Sequence, residues 1–177
     1  MAGTSPVIVI SLAYLRKRED GIELLKTEHR KFLKSRKGWL EAGEVLPNAS
    51  LGEGKLNPYD LITDYLILIT LSTSCEPCFD ALDMLQPMLA QHGPFNILML
   101  VDCDEKDFEI FRAEFGHLAA LCHVSADELQ KGISTNAFPW AYGINKVGQI
   151  VTSSVCGSRE EFLGVIGPFH RYLHIPK

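Results

Sequence analysis

Nothing in this chain narrows its possible folds more than the stretch Leu66-Ile67-Leu68-Ile69-Thr70-Leu71-Ser72-Thr73-Ser74-Cys75-Glu76-Pro77-Cys78. An apolar run rich in branched residues reads as a buried strand. Directly after it, Phe79, Leu82, Leu85 and Leu89 recur at helical spacing, so the strand feeds a helix whose first turn carries two thiols. At a helix N-terminus the unpaired amide N–H groups and the positive end of the dipole favour a thiolate. They lower the pKa of the first cysteine from about 8.5 towards neutral or below. The chemistry this placement suggests is thiol-disulfide exchange.

Two other uses of a Cys-x-x-Cys pair compete with that one. A structural zinc site usually needs four ligands, and no second Cys-x-x-Cys or His-x₃₋₅-His pair lies at a finger-like distance. Two inert cysteines in a core helix fit poorly with Glu76 and Pro77 between them. That dipeptide suits a partly exposed first turn, where proline lacks only a donor the helix does not need.

A chain of 177 residues, 46% of them hydrophobic, is long enough for one well-buried domain and an extension. The net charge of −5 is unevenly spread: residues 16–37 carry nine Lys/Arg against four Asp/Glu, and from Pro47 onward the count is eight against sixteen. The basic character is therefore local. The acidic balance of the remainder, with aromatics not interleaved with Lys/Arg, points away from nucleic acid. Five cysteines, Cys75, Cys78, Cys103, Cys122 and Cys156, are too few and too scattered for a disulfide framework in a chain this long.

Near the start, the apolar run from Pro6 to Leu15 is followed at once by Arg16-Lys17-Arg18. Ten residues cannot span a bilayer of about 30 Å as a helix, which takes about 20. A secretory signal matches poorly too, since no basic residue precedes the run and no small-residue cleavage site follows it. The run reads as part of a shortened membrane anchor, or as a short strand or interfacial segment. Ile22 to Leu40 is consistent with a basic amphipathic helix or a solvated connecting helix. Gly38, Gly43, Pro47 and Gly52 mark the boundary of the main domain, giving an extension over 1–37 and a domain over 38–177.

Within the domain, Val45 to Leu51 is predicted as an edge strand and Gly52-Glu53-Gly54-Lys55 as a hairpin turn. Asn96 to Val101 reads as a second buried strand, which the intervening helix makes a parallel neighbour of the first. Phe108, Phe111 and Phe115 predict a helix closed by Gly116, Leu118 to Val124 a strand, and Ala126 to Gly132 a short helix. Ala137 to Asn145 is predicted as a strand with a proline at its start, returning through Val147-Gly148-Gln149 to Ile150–Val155. A last helix runs from Arg159 to about Leu173, with Gly167-Pro168 expected to kink or divide it.

This order of strand, Cys-x-x-Cys, long helix, strand, helix, proline-led hairpin and last helix resembles the thioredoxin superfamily from about Gly38 to the C-terminus. Within it, the chain is similar to the membrane-anchored extracytoplasmic branch, the ResA/TlpA-type thiol-disulfide oxidoreductases and the methylamine dehydrogenase accessory protein. Leu46-Pro47-Asn48-Ala49-Ser50-Leu51, Cys75-Glu76-Pro77-Cys78, Phe138-Pro139 and Ile144-Asn145-Lys146-Val147-Gly148-Gln149-Ile150-Val151 carry that likeness. The resemblance implies a thioredoxin-like three-layer α/β fold, with a central mixed sheet flanked by helices and the basic extension preceding it. It also implies that Cys75 attacks, Cys78 resolves and Glu76 and Pro77 support them, with no metal or organic cofactor. Phe138 and Pro139, with a cis bond between them, would bind a substrate polypeptide as a short added strand. Read without the thiols, Pro139 is equally a strand-entry proline with a trans bond.

The implied partners are a protein thiol or disulfide and an upstream electron donor or acceptor, with membrane association through the N-terminus. The implied location is an anchored domain outside the cytoplasm; Arg16-Lys17-Arg18 favours the cytoplasmic alternative, by retention of basic residues inside. The chain departs from the branch at Ser74, where a Trp is common, at Asp83, where a Pro is common, and at Ala81, where ResA-type members have a functional acid. Asp80 and Asp83 lie close by at other helical angles. Those departures motivate a second reading, a binding or chaperone-like module with little turnover; a peroxidase is a third. Cys103 can approach the active site or serve as a small buried hydrophobe, and Cys122 and Cys156 read as core. Of the histidines only His170 and His174, at i, i+4, have a metal-like spacing.

Overall fold

The strand and helix expected around the paired thiols are both present. In the computed structural model, which describes residues 38–172, β1 is Tyr65–Ser72 and α1 is Glu76–His92. There follow β2 (Ile97–Asp102), α2 (Glu105–Phe115), β3 (Ala120–His123), α3 (Ala126–Ile133), β4 (Trp140–Asn145), β5 (Ile150–Val155) and α4 (Arg159–Ile166). The expectations for residues 1–37, and for His174, lie outside the described residues.

The strands form one mixed sheet in the order β3-β2-β1-β4-β5. β1, β2 and β3 run parallel, and β4 is antiparallel to both β1 and β5. All eight residues of β1 are buried, because this central strand is covered on both faces, which is why its sequence does not alternate. On one face Ile67, Ile69 and Leu71 pack with α1, with Phe108, Phe111 and Phe115 of α2, and with Phe162, Val165 and Ile166 of α4. On the other, Leu66 and Leu68 pack with Leu129 and Ile133 of α3 and with Leu40, Leu46 and Leu51 of the leading segment. The result is the three-layer α/β arrangement.

Helix starts follow local chemistry. Asp104 caps α2 by accepting from the Asp107 N–H. Ser125 with Glu128, and Ser158 with Glu161, form complete capping boxes on α3 and α4. The last helix is divided as expected, α4 giving way to a 3-10 segment at Gly167–Tyr172.

Two predictions need correction. Val45 to Leu51 is not a strand: it makes two isolated bridges, Val45 with Gln149 and Leu51 with Leu56. Pro47 has no N–H to continue the ladder. The second bridge closes the expected turn, in which Gly52 has φ +65 and a Cβ would lie 2.4 Å from the His123 carbonyl oxygen, so glycine is required there. Likewise β4 starts at Trp140 rather than Ala137, and the Phe138–Pro139 bond before it is cis, which overturns the trans strand-entry alternative. A second cis bond, Gly93–Pro94, follows the end of α1.

Candidate active site

Cys75 is the N-cap of α1, with extended backbone, and Pro77 lies in the first turn. The Cys75 N–H donates to the Ser72 carbonyl at 3.2 Å and the Cys78 N–H to the Cys75 carbonyl at 3.0 Å. These two bonds turn the chain from the end of β1 into the helix. Cys75 is left half-buried, while Cys78, one turn further in, is 1% exposed. The Cys75 thiol donates to the Phe138 carbonyl at 3.3 Å, so the first cysteine touches the backbone of the cis-proline loop. The Ser72 N–H donates to Cys78 Sγ at 3.4 Å.

The two sulfurs are unequal acids. A hydrogen bond from the Cys78 thiol holds Cys75 below the ordinary thiol value; partial burial opposes it, the Cys78 N–H adds to it, and the Glu76 carboxylate opposes it further. Cys78 is pushed well above the ordinary value, first by burial and then by its neighbour Cys75. The outer sulfur is thus the one that ionises, and the inner one holds its proton. Glu76 works against the Cys75 thiolate, so any support it gives is not electrostatic.

Where the resemblance implies an acid, α1 carries Ala81. Ala81 is wholly buried, and Asp80 and Asp83 both face solvent. Pro87, inside the helix, is the position at which an N–H is lost.

Sequence reasoning missed a polar network behind the redox turn. Parallel register sets Ser72 opposite Asp102. The Ser72 hydroxyl donates to Asp102 Oδ2 at 2.9 Å, lies 2.8 Å from the Ser74 hydroxyl, and accepts from the Ser74 N–H at 3.2 Å. The other oxygen, Asp102 Oδ1, accepts from the Ala126 N–H at 3.1 Å at the start of α3. One carboxylate therefore ties the turn that carries the thiols to a helix on the opposite face. Serines closing an apolar run, and an aspartate closing the next strand, were the available signal.

The cis-proline loop is held from two sides. Thr70, buried in β1, donates its hydroxyl to the Ala137 carbonyl at 2.7 Å. Trp39 stacks on Trp140, ring centroids 4.9 Å apart, and the Gly38 carbonyl accepts from the Asn136 N–H at 2.9 Å and the Thr135 hydroxyl at 3.0 Å.

Of the remaining cysteines, Cys103 is half-buried past the end of β2. Burial, then the carboxylates of Asp107, Asp104, Asp102 and Glu105, push it up to about 12. Cys122 is buried on the α3 face, and Cys156 is buried just after β5 on the α1 face. His123 Nε2 lies 2.7 Å from the Cys103 carbonyl oxygen and Nδ1 3.2 Å from Glu105. Among the described residues no three His, Cys, Asp or Glu side chains are grouped to hold a metal ion. No helix among them is long and apolar enough to cross a membrane.

No protein-family model and no curated protein matches the sequence. Solved structures do. The thioredoxin domain of a thiol-disulfide oxidoreductase from Bacteroides vulgatus aligns over 74% of this chain and 99% of its own, with a TM-score of 0.55 and 15% identity. A thiol:disulfide interchange protein from Bacteroides sp. aligns over 78% of this chain and 93% of its own, at 0.54 and 15%. A secreted thiol-disulfide isomerase from Corynebacterium glutamicum aligns over 72% and 83%, at 0.51 and 16%. The chain has the thioredoxin-like fold that these proteins share.

Proposed function

We propose that this protein is a thiol-disulfide oxidoreductase acting on protein thiols through a dithiol-disulfide cycle between Cys75 and Cys78. One observation carries the reading: a half-exposed, acidified Cys75 beside the Phe138 carbonyl of the cis-proline loop, with a protonated Cys78 directly behind it. In the reducing direction the Cys75 thiolate attacks a substrate disulfide, one substrate sulfur leaves as thiolate, and a mixed disulfide remains. Cys78 then gives up its proton and attacks Cys75 Sγ. The Cys75–Cys78 bond forms, the second substrate sulfur leaves, and two electrons have passed to the substrate. An upstream dithiol donor restores the pair; run backwards, the same steps oxidise a substrate. Phe138 and Pro139 present the backbone along which an extended substrate segment pairs.

The test is a trapping experiment. Cys78→Ser should accumulate a mixed disulfide through Cys75, and Cys75→Ser should trap little or nothing. Alkylation of the reduced protein across a pH series should modify Cys75 first, with a midpoint below the free-thiol value of about 8.5. Faster modification of Cys78 would defeat this division of roles. The buried Ala81 in place of an acid favours a second reading, a binding or chaperone-like module with little turnover. Failure to reduce insulin with a reducible disulfide intact would select it. We propose a location outside the cytoplasm on the likeness to a protein named as secreted, with anchoring through the N-terminus resting on the apolar run Pro6–Leu15 alone; protease protection in fractionated cells tests it.

A further inference from the structure

We propose that Asp102 is a positioning residue for the resolving half of the exchange: through the Ser72 hydroxyl it holds the Ser72 N–H against Cys78 Sγ, where that donor meets the negative charge the sulfur must carry to attack. This role rests on the thiol-disulfide function proposed above.

Ser72 is the last residue of β1 and meets both cysteines through its main chain. Its carbonyl accepts from the Cys75 N–H at 3.2 Å, and its N–H donates to Cys78 Sγ at 3.4 Å. The aim of that N–H depends on how the strand end is held. Ser72 is 2% exposed, and the parallel register sets Asp102 opposite it. Asp102 Oδ2 receives the Ser72 hydroxyl at 2.9 Å. The carboxylate is itself fixed, because Oδ1 accepts from the Ala126 N–H at 3.1 Å. The Asp102 carbonyl accepts from the next residue of the turn, the Thr73 N–H, also at 3.1 Å. Asp102 thus grips the exit of β1 by side chain and main chain together. The strand end cannot turn its amide away from Cys78 without breaking a charge-assisted hydrogen bond.

A donor at Cys78 matters in one half of the cycle. In the mixed disulfide Cys75 Sγ is bonded to the substrate sulfur, and Cys78 is a buried thiol. Cys78 loses its proton to water and its thiolate attacks Cys75 Sγ. The Cys75–Cys78 bond forms, the bond from Cys75 to the substrate breaks, and the substrate sulfur leaves with that electron pair and takes a proton from water. Burial, then the neighbouring Cys75, disfavour the Cys78 thiolate, and the Ser72 N–H favours it. Loosening the amide should lower the thiolate population about tenfold at a given pH, while the more basic sulfur attacks about threefold faster, so resolution slows about threefold. The first attack, by Cys75, does not use this donor.

The experiment mixes full-length reduced protein, in excess, with dithiobisnitrobenzoate and follows absorbance by stopped flow. Attack by Cys75 releases the first thionitrobenzoate at a rate that rises with protein concentration. Resolution by Cys78 releases the second at a rate that does not. Asp102→Ala and Ser72→Ala should each lower the second rate about threefold relative to the first at neutral pH. Followed from pH 6 to its alkaline plateau, the second rate should also rise at more alkaline pH than in wild type. Asp102→Asn, which keeps one acceptor, should recover part of the ratio. A wild-type ratio in both alanine variants, or a second rate slowed by the same factor at every pH up to the plateau, would overturn the inference and leave the proposed function standing. Wild-type protein that releases only one thionitrobenzoate would overturn both.

Discussion

Thr70 is the only polar side chain within the apolar run Leu66–Leu71, and Thr70→Val isolates what its hydroxyl does. The side chain is wholly buried, and the hydroxyl donates to the Ala137 carbonyl at 2.7 Å, with the Trp140 carbonyl at 3.3 Å. Valine keeps the branched shape and removes the donor. A buried acceptor stripped of its partner costs about 1–3 kcal/mol, and the added methyl returns about 0.8 kcal/mol through burial. The net expectation is a loss of about 0.2–2.2 kcal/mol, read from the shift in urea midpoint at unchanged slope. In thermal unfolding each kcal/mol is about 2–4 °C for a domain of this size. Ala137 precedes Phe138, whose carbonyl meets the Cys75 thiol, so Thr70→Val should also move the Cys75 alkylation midpoint. Thr70→Ser, which keeps the donor and loses a methyl, should destabilise by about 0.8 kcal/mol and leave that midpoint in place. If Thr70→Val matches wild type in both stability and Cys75 titration, the claim that this strand holds the loop through a hydroxyl is wrong.

Two further outcomes follow from the same geometry. Asp102→Ala removes the acceptor for both the Ser72 hydroxyl and the Ala126 N–H; urea denaturation should show a loss of about 1–3 kcal/mol. Trapped mixed disulfides should resolve more slowly as the Ser72 amide shifts against Cys78. Asp102→Asn should lie between the two. In reducing buffer, stability should fall as pH rises above about 8.5. Burial holds Cys122 at about 11 and Cys156 at about 12 in the folded protein, so the native state keeps protons that the unfolded chain releases. The stabilisation is fully present below the unfolded thiol value and is lost as pH rises through the folded one. Melting curves for Cys156→Ala should show a shallower alkaline decline, and an unchanged slope would contradict the burial argument.

How much of this could be seen in the residues depended on whether the signal was local. Strand β1, helix α1 and the capped starts of α3 and α4 are written in contiguous patterns, with Ser125 and Glu128 or Ser158 and Glu161 three residues apart. The segment Val45–Leu51 has the apolar content of a strand but makes only isolated bridges, because Pro47 has no N–H with which to continue the pairing. The Ser72–Asp102 contact and the bond from the Cys156 N–H to the Pro139 carbonyl are invisible along the chain. They are created by the parallel register of β1 on β2 and by the return of β5 to the cis-proline loop. Thr70 and Ser72 did carry a signal, as hydroxyls in a run that otherwise admits only hydrocarbon.

The stacking of Trp39 on Trp140 has an optical consequence. These are the only two indoles in the chain, and both pack on the α3 face of the sheet, Trp140 directly after Pro139, so the whole tryptophan emission of the protein originates at one spot next to the cis-proline loop. Nothing elsewhere in the fold dilutes it. A change in the loop, such as the seating of a polypeptide along Phe138 and Pro139, should therefore be read by intrinsic fluorescence in unmodified protein, in real time and without a dye.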